Sequence, residues 1–223
     1  MTAIVAVHTV DGFAMGADGR RFDSKTNALE TDEAQKVFLF DSETTRLAYA
    51  WAGVTQTSNK DGLLYDLLAA SQEILPVAAK SGRDNFAFFV SGFCAALSTK
   101  LPTYMINLPK DELARGIFVG FFQGKPFSVQ LQILYPCTTL LVLPEVHIPA
   151  DYHKSVFSGA ESIYPKYETL KPKSGADAID FIHKYIQECV DSSNPDCAGI
   201  GGHIHIAEIK PDQSRWIIEP IGK

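Results

Sequence analysis

Thr2 carries two groups that can cooperate in breaking an amide bond. With Met1 removed, its hydroxyl attacks a carbonyl while its own α-amine accepts the proton, directly or through a water. A free α-amine titrates near ~7.7–8.0, so part of it is neutral and basic at cellular pH, unlike a lysine amine near ~10.4. Pairing a threonine hydroxyl with the N-terminal amine is a known way to activate a weak oxygen nucleophile. Alone, Thr2 is only the first residue of an edge strand, so its neighbours decide the reading. The run Thr2 to Thr9, the corner Val10-Asp11-Gly12 and the return Phe13 to Arg20 have the pattern of a β-hairpin, with an Asp-Gly corner suited to a tight turn. That hairpin brings Asp18 and Arg20 back beside Thr2. One sheet edge then gathers a hydroxyl, a carboxylate and a cation.

A second hairpin follows, built from Lys36 to Phe40, the turn Asp41 to Thr44, and Thr45 to Trp51. Strand alternation puts Leu47, Tyr49 and Trp51 on one face and Ala48, Ala50 and Ala52 on the other. The small residues predict close packing against another layer. Gly53 ends this strand, and lacking a Cβ it lets a backbone N–H approach a ligand closely.

Thr2-x-Ile4-Val5-x-Val7, then Asp11-Gly12, Gly16-Ala17-Asp18-Gly19-Arg20, Lys36-Val37 and Ala52-Gly53 resemble the proteasome β-subunit family and its bacterial HslV-type relatives. The motif-level likeness spans about the first 55 residues, and the order of elements extends it over most of the chain. The resemblance implies a threonine nucleophile at Thr2. It makes Lys36 a catalytic lysine whose charge favours the anionic nucleophile and keeps the amine unprotonated. Asp18 would hold that lysine through a charge-assisted bond. Gly53 would offer its N–H to an oxyanion, an effect of roughly 2.7–4 kcal/mol per donor in other hydrolases. Ser158, with Gly159, matches an element that sets a hydroxyl near the amine, and Asp196 falls close to the family's aspartate ahead of Gly201-Gly202.

Two departures stand beside these matches: Ile200 precedes the glycine pair where the family has serine, and residue 19 is glycine where it has Ser or Thr. Both remove hydroxyls that orient the amine or its water. The leading expectation is an N-terminal-threonine hydrolase that cleaves peptide bonds through an ester on Thr2. A catalytically silent scaffold subunit that keeps Met1, and a small-molecule amidase of the same fold, remain open. The resemblance further implies a homo-oligomeric ring enclosing peptide or unfolded-protein substrates, with an unfoldase among its partners.

The elements able to position these residues come in blocks. Residues 21–35 are polar and read as a loop or weak hairpin. The spacing predicts a helix from Asn59, as cap, to about Leu75, stopped by Pro76, and a second from Asp84 to Leu97 with Phe86, Phe89, Val90, Phe93 and Leu97 on one stripe. Strands are expected over 116–122, 127–135 and 138–143. The prolines at 144, 149, 165 and 172 break residues 144–174 into loops, with a short helix near Glu161. Ser174 and Asp177 have capping-box spacing and open a helix to about Val190. Strands over 203–209 and 215–218 close the chain. Helices arriving in blocks, rather than one after each strand, argue against a parallel βαβ sheet. The expected fold is α+β, a four-layer αββα sandwich of two antiparallel sheets flanked by helices, in a single domain over residues 1–223.

A net charge of −6 over 223 residues, without a basic block, argues against a nucleic-acid-binding face. No apolar run approaches the ~20 residues of a bilayer span, and no basic and apolar leader follows Met1, so a cytoplasmic protein off the membrane is expected. Cys94, Cys137, Cys189 and Cys197 lack CxxC spacing and read as buried, reduced thiols, with Cys189 and Cys197 near enough in sequence to permit a bridge. His203 and His205 share a strand face without an evident third ligand, so they read as partly exposed strand histidines. No cofactor and no metal are expected.

Overall fold

The computed structural model describes residues 2–23, 26–58, 64–101, 112–135, 140–147 and 154–221. Alternation along the strands dictates the layers. In β1 (Ile4–Thr9) all six residues are buried, because the strand is covered on both faces. Ala3, Val5 and Val7 join one apolar cluster, while Ile4 and Ala6 join another. β2 (Gly12–Ala17) repeats the pattern, with Phe13, Met15 and Ala17 on the second side. Two short strands, β3 (Arg21–Phe22) and β4 (Leu29–Thr31), make the small hairpin expected over 21–35.

β5 (Val37–Asp41) and β6 (Thr45–Gly53) form the second long hairpin. Its alanine face, Ala48 and Ala50, packs into the same cluster as Ile4 and Met15, while Leu47, Tyr49 and Trp51 face the helices. After β7 (Gln56–Ser58) and β8 (Leu64–Asp66) come helices α1 (Leu67–Ser81) and α2 (Phe86–Lys100). Strands β9 (Glu112–Phe122), β10 (Lys125–Leu134), β11 (Leu141–His147) and β12 (Ser155–Ser158) follow. Helices α3 (Tyr164–Glu168) and α4 (Gly175–Asp191), then β13 (His205–Ile209) and β14 (Ser214–Ile218), complete the described chain.

Two five-stranded antiparallel sheets result, ordered β12-β1-β2-β13-β14 and β11-β10-β9-β6-β5. One cluster fills the space between them, a second lies between the latter sheet and α1 and α2, and a third between the former sheet and α3 and α4. This is the αββα sandwich expected from the sequence. Burying both faces of each central strand and one stripe of each long helix is what the apolar patterning demands.

The structure corrects several boundaries. α1 begins at Leu67, capped by Asp66, whose side chain accepts from the Ala69 N–H, and it continues through Pro76 to Ser81. Leu64 belongs to β8, and Asn59 lies outside the described residues. Pro76 sits on the exposed side, and the buried Ile74, Leu75, Ala78 and Ala79 keep the helix packed past the missing N–H. Residues 144–147 are strand, not loop: Pro144 lies in β11, an edge strand, where a residue without a donor is tolerated. β12 has no counterpart in the expected loops. Its four residues are too few for a periodic signal, and pairing with β1 makes it a strand. By contrast α4 carries the expected capping box between Ser174 and Asp177. Cys94, Cys189 and Cys197 are buried free thiols, and Cys137 lies outside the described residues. Burial pushes the thiol of Cys94 up to about 11 and that of Cys189 up to about 12. Among the described residues, no helix is long and apolar enough to cross a membrane.

Candidate active site

The hairpin β1–β2 places Asp18 directly after the sheet, where the Asp18 N–H donates to the Ala3 carbonyl. The Asp18 carboxylate, fully buried, accepts backbone N–H bonds from Ala3 at 2.9 Å, Gly201 at 3.2 Å and Arg20 at 3.3 Å. Those three donors leave one direction unfilled, and Lys36 fills it. Its Nζ stands 3.0 Å from each Asp18 oxygen and 3.2 Å from Thr2 Oγ1. Lys36 belongs to the opposite sheet, just ahead of β5, so the cluster lies where the ends of the two sheets meet.

Burial holds the Lys36 ammonium below the usual lysine range. Asp18 opposes this by charge and hydrogen bond, and the nearby Arg21 and Arg20 add to the lowering. A lysine held between these influences can stabilise negative charge on the Thr2 oxygen, or exchange a proton with it, nearer to neutral pH than a solvated amine could. Arg20 lines the same cleft as Thr2 and Lys36, its Nε bonded to Asp32 at 2.6 Å.

A cleft of about 480 Å³ opens onto Thr2 and Lys36 and is lined further by Trp51, Gly53, Val54, Thr55, Gln35 and Leu68. Gly53 thus lies on the wall of the same cleft as the threonine. Its φ is +93°, and a Cβ there would meet the Leu113 carbonyl oxygen at 2.5 Å, so both conformation and packing call for glycine. A larger groove of about 900 Å³ runs between α4 and residues 166–173. It is lined by surface lysines and carboxylates and offers no buried nucleophile, so the smaller cleft is the candidate site.

Ser158 is buried in β12 opposite Ile4, and the following Gly159, at φ +79°, packs against the Thr2 carbonyl. Asp196 is engaged differently: it accepts from the Ser162 N–H at 2.6 Å and hydroxyl at 2.8 Å, which hold its carboxyl below the usual range. It ties the turn before α3 to the segment after α4. Thr2, Lys36 and Asp18 are therefore bonded together, with Gly53 across the cleft, while Asp196 is bonded to Ser162 instead.

Three participants have no counterpart among the residues picked out by sequence spacing. Two are the Ala3 and Gly201 amides on Asp18, which no side-chain pattern encodes. The third is His205, which is not partly exposed but 1% exposed. Its Nε2 accepts the N–H of Lys36 at 3.0 Å and of Val37 at 3.1 Å. Alternation with Ala207 and Ile209, both in the layer between the sheets, was the available signal for its direction. His203 bonds instead to the Glu219 carbonyl at 2.7 Å. Among the described residues no cluster of three or more His, Cys, Asp or Glu side chains could hold a metal ion.

No family model and no curated protein matches the chain. Solved structures do. A Gly-1 mutant of Anbu from Hyphomicrobium sp. strain MC1 aligns at 15% identity, over 98% of this chain and 87% of that one, with a TM-score of 0.61. The Anbu complex from Pseudomonas aeruginosa, a helical assembly, aligns at 14% identity over 97% and 87%, with a TM-score of 0.58. Anbu (ancestral beta-subunit) from Yersinia bercovieri aligns at 14% identity over 97% and 87%, with a TM-score of 0.54. These likenesses show the fold, the four-layer αββα sandwich of two antiparallel sheets flanked by helices.

These likenesses correct the resemblance drawn from the sequence. The neighbours are Anbu proteins, proteasome-like but distinct from HslV-type hydrolases. The physical reason lies in what the motif consists of. Thr2, Asp18, Lys36 and Gly53 sit at strand ends of the sandwich itself, so their spacing follows from the common architecture and does not separate its branches.

Proposed function

We propose that this chain is an N-terminal-threonine hydrolase acting on amide bonds, with Thr2 as nucleophile and Lys36 and Asp18 as its supporting pair. The observation that carries this reading is the Lys36 ammonium held 3.2 Å from Thr2 Oγ1 and 3.0 Å from both Asp18 oxygens, at the floor of an open cleft. In the proposed reaction the Thr2 oxygen adds to the amide carbonyl carbon, and its proton passes to the α-amine that Thr2 bears once Met1 is gone. The oxyanion is met by the Gly53 N–H. Collapse breaks the C–N bond, the leaving amine takes the proton, and an ester remains on Thr2. Water then adds to the ester carbonyl, gives its proton back through the amine to Thr2 Oγ1, and releases the acid. Ser158 and Asp196 belong to the surroundings of this site rather than to the bonded trio.

A second reading, a catalytically silent scaffold, is favoured by one feature. A Cβ on Gly19 would meet the His203 and Asp32 carbonyl oxygens at 2.6 and 2.7 Å, so no serine or threonine fits there, and Ile200 is buried in the apolar cluster under α4. The two absent hydroxyls are built into the packing. Under either reading we propose one domain that self-associates, in keeping with the helical assembly of the Pseudomonas aeruginosa neighbour. Peptide or unfolded-protein substrates, an unfoldase partner and a cytoplasmic site belong to the hydrolase reading.

The test is the intact mass and electrophile reactivity of protein from its native host. A mass lacking Met1, labelling by a threonine-directed β-lactone and loss of both labelling and peptide turnover in Thr2→Ala support the hydrolase. Retained Met1 with no labelling supports the scaffold.

A further inference from the structure

Lys36 and His205 are 169 residues apart in sequence and belong to different sheets, yet the ring nitrogen Nε2 of His205 takes both the Lys36 and the Val37 amide protons. The location gives the contact its meaning. His205 opens β13 and lies in register with Ala17, the residue before Asp18. Val37 opens β5, an edge strand of the other sheet. One ring therefore fastens the backbone of Lys36 to the sheet that holds Thr2 and Asp18, at the one end of the sandwich where those three side chains meet.

The ring itself is fixed. It is fully enclosed, lies edge-on to Trp216 with centroids 6.2 Å apart, and is stacked on His203 at 6.4 Å. A nitrogen that accepts two N–H bonds carries no proton, so the ring is the neutral Nδ1–H tautomer. Nothing about packing alone requires this arrangement, since Ala207 and Ile209 fill the same layer with apolar groups further along β13.

We infer that His205 is a positioning residue, whose double acceptance of the Lys36 and Val37 amides sets where the Lys36 ammonium stands relative to Thr2 Oγ1 and Asp18. This rests on the proposed hydrolase reading for its effect on turnover. The contact fixes the backbone from which the Lys36 side chain reaches its two partners. Without it the start of β5 loses its tie to the other sheet, and displacements of about 1 Å cost on the order of 10²-fold in rate where geometry governs the chemistry.

The experiment uses the full chain with His205→Leu, His205→Gln and His205→Asn. Glutamine places an amide oxygen with two lone pairs near the Nε2 position, whereas asparagine is one methylene short. H205L and H205N are expected to lose about 10²-fold in kcat with KM unchanged within about twofold. H205Q is expected to keep kcat within about tenfold of the parent. The Lys36 amide is expected to exchange faster with solvent, and the Lys36 Cε resonance to titrate at a shifted midpoint, in H205L and H205N but not in H205Q. Should H205L not fold, the comparison of H205Q with H205N decides. Parental kcat and Lys36 titration in a folded H205L, or no advantage of H205Q over H205N, overturns the inference. If the parent protein shows neither turnover nor labelling, the hydrolase reading fails, while the Lys36 titration and amide exchange still judge the positioning role.

Discussion

Lys36 Nζ lies 3.0 Å from both carboxylate oxygens of Asp18, and the two residues flank strands of different sheets, β5 and β2. Asp18 has three backbone donors besides Lys36, whereas Lys36 has Asp18 as its only counter-charge among the hydrogen bonds described for its ammonium. Removing one member of a buried pair strands the other charge, at a cost of about 3–5 kcal/mol. Asp18→Asn should therefore destabilise by about that amount, because it strands the lysine and points an amide at donors. Lys36→Met should cost less, since Ala3, Arg20 and Gly201 still satisfy Asp18. Urea unfolding of both variants checks the order, and K36M the less stable of the two would contradict it.

Gly159 is the hinge of a second prediction. Its φ of +79° and its contact with the Thr2 carbonyl leave no room for a Cβ. Gly159→Ala combines left-handed strain of about 1–2 kcal/mol with displacement of Thr2 itself. A lowered thermal midpoint is expected together with a loss of Thr2 labelling larger than the fraction unfolded explains. Labelling at the parental rate in the folded variant would show that Thr2 tolerates the shift.

Acid should weaken the fold through His205. Its ring is pushed down to about 4, first by burial, with the charges of Lys36 and His203 adding and a backbone hydrogen bond to His203 opposing. In the unfolded chain a histidine titrates near ~6.5. Between those values the unfolded chain binds a proton that the folded chain refuses. Stability is then full above about 6.5 and falls as pH drops toward about 4, by on the order of 3 kcal/mol in all. Carboxylates titrate in the same range, so the measurement is the difference in unfolding free energy between the parent and H205Q at pH 7 and pH 5. A difference independent of pH would show that the ring is not the responsible group.

Much of the sandwich was legible because its signals are local. The hairpin β1–β2, the alanine face of β6 and the Ser174–Asp177 capping box each rest on residues within one element or on either side of one short turn. The failures are those where a distant partner overrides local preference. Pro144 punctuates the sequence as a loop, but an edge position in a sheet accepts it. Pro76 looks like a stop, yet α1 runs through it because its other face is anchored. The branch of the fold could not be read from the motif, since strand-end residues report the architecture they occupy.

From sequence alone one could name the chemistry on offer: a threonine beside a potential amine, an aspartate returned to it by a two-strand turn, a lysine heading the next hairpin. Tertiary structure decided which groups meet. Lys36 reaches Thr2 and Asp18 only because two sheets stack face to face, and His205 holds it there across 169 residues. Asp196 is drawn to Ser162 instead. Local spacing encodes strands and caps within a few residues, but contacts between layers depend on how buried faces register against one another, which no stretch of chain carries by itself.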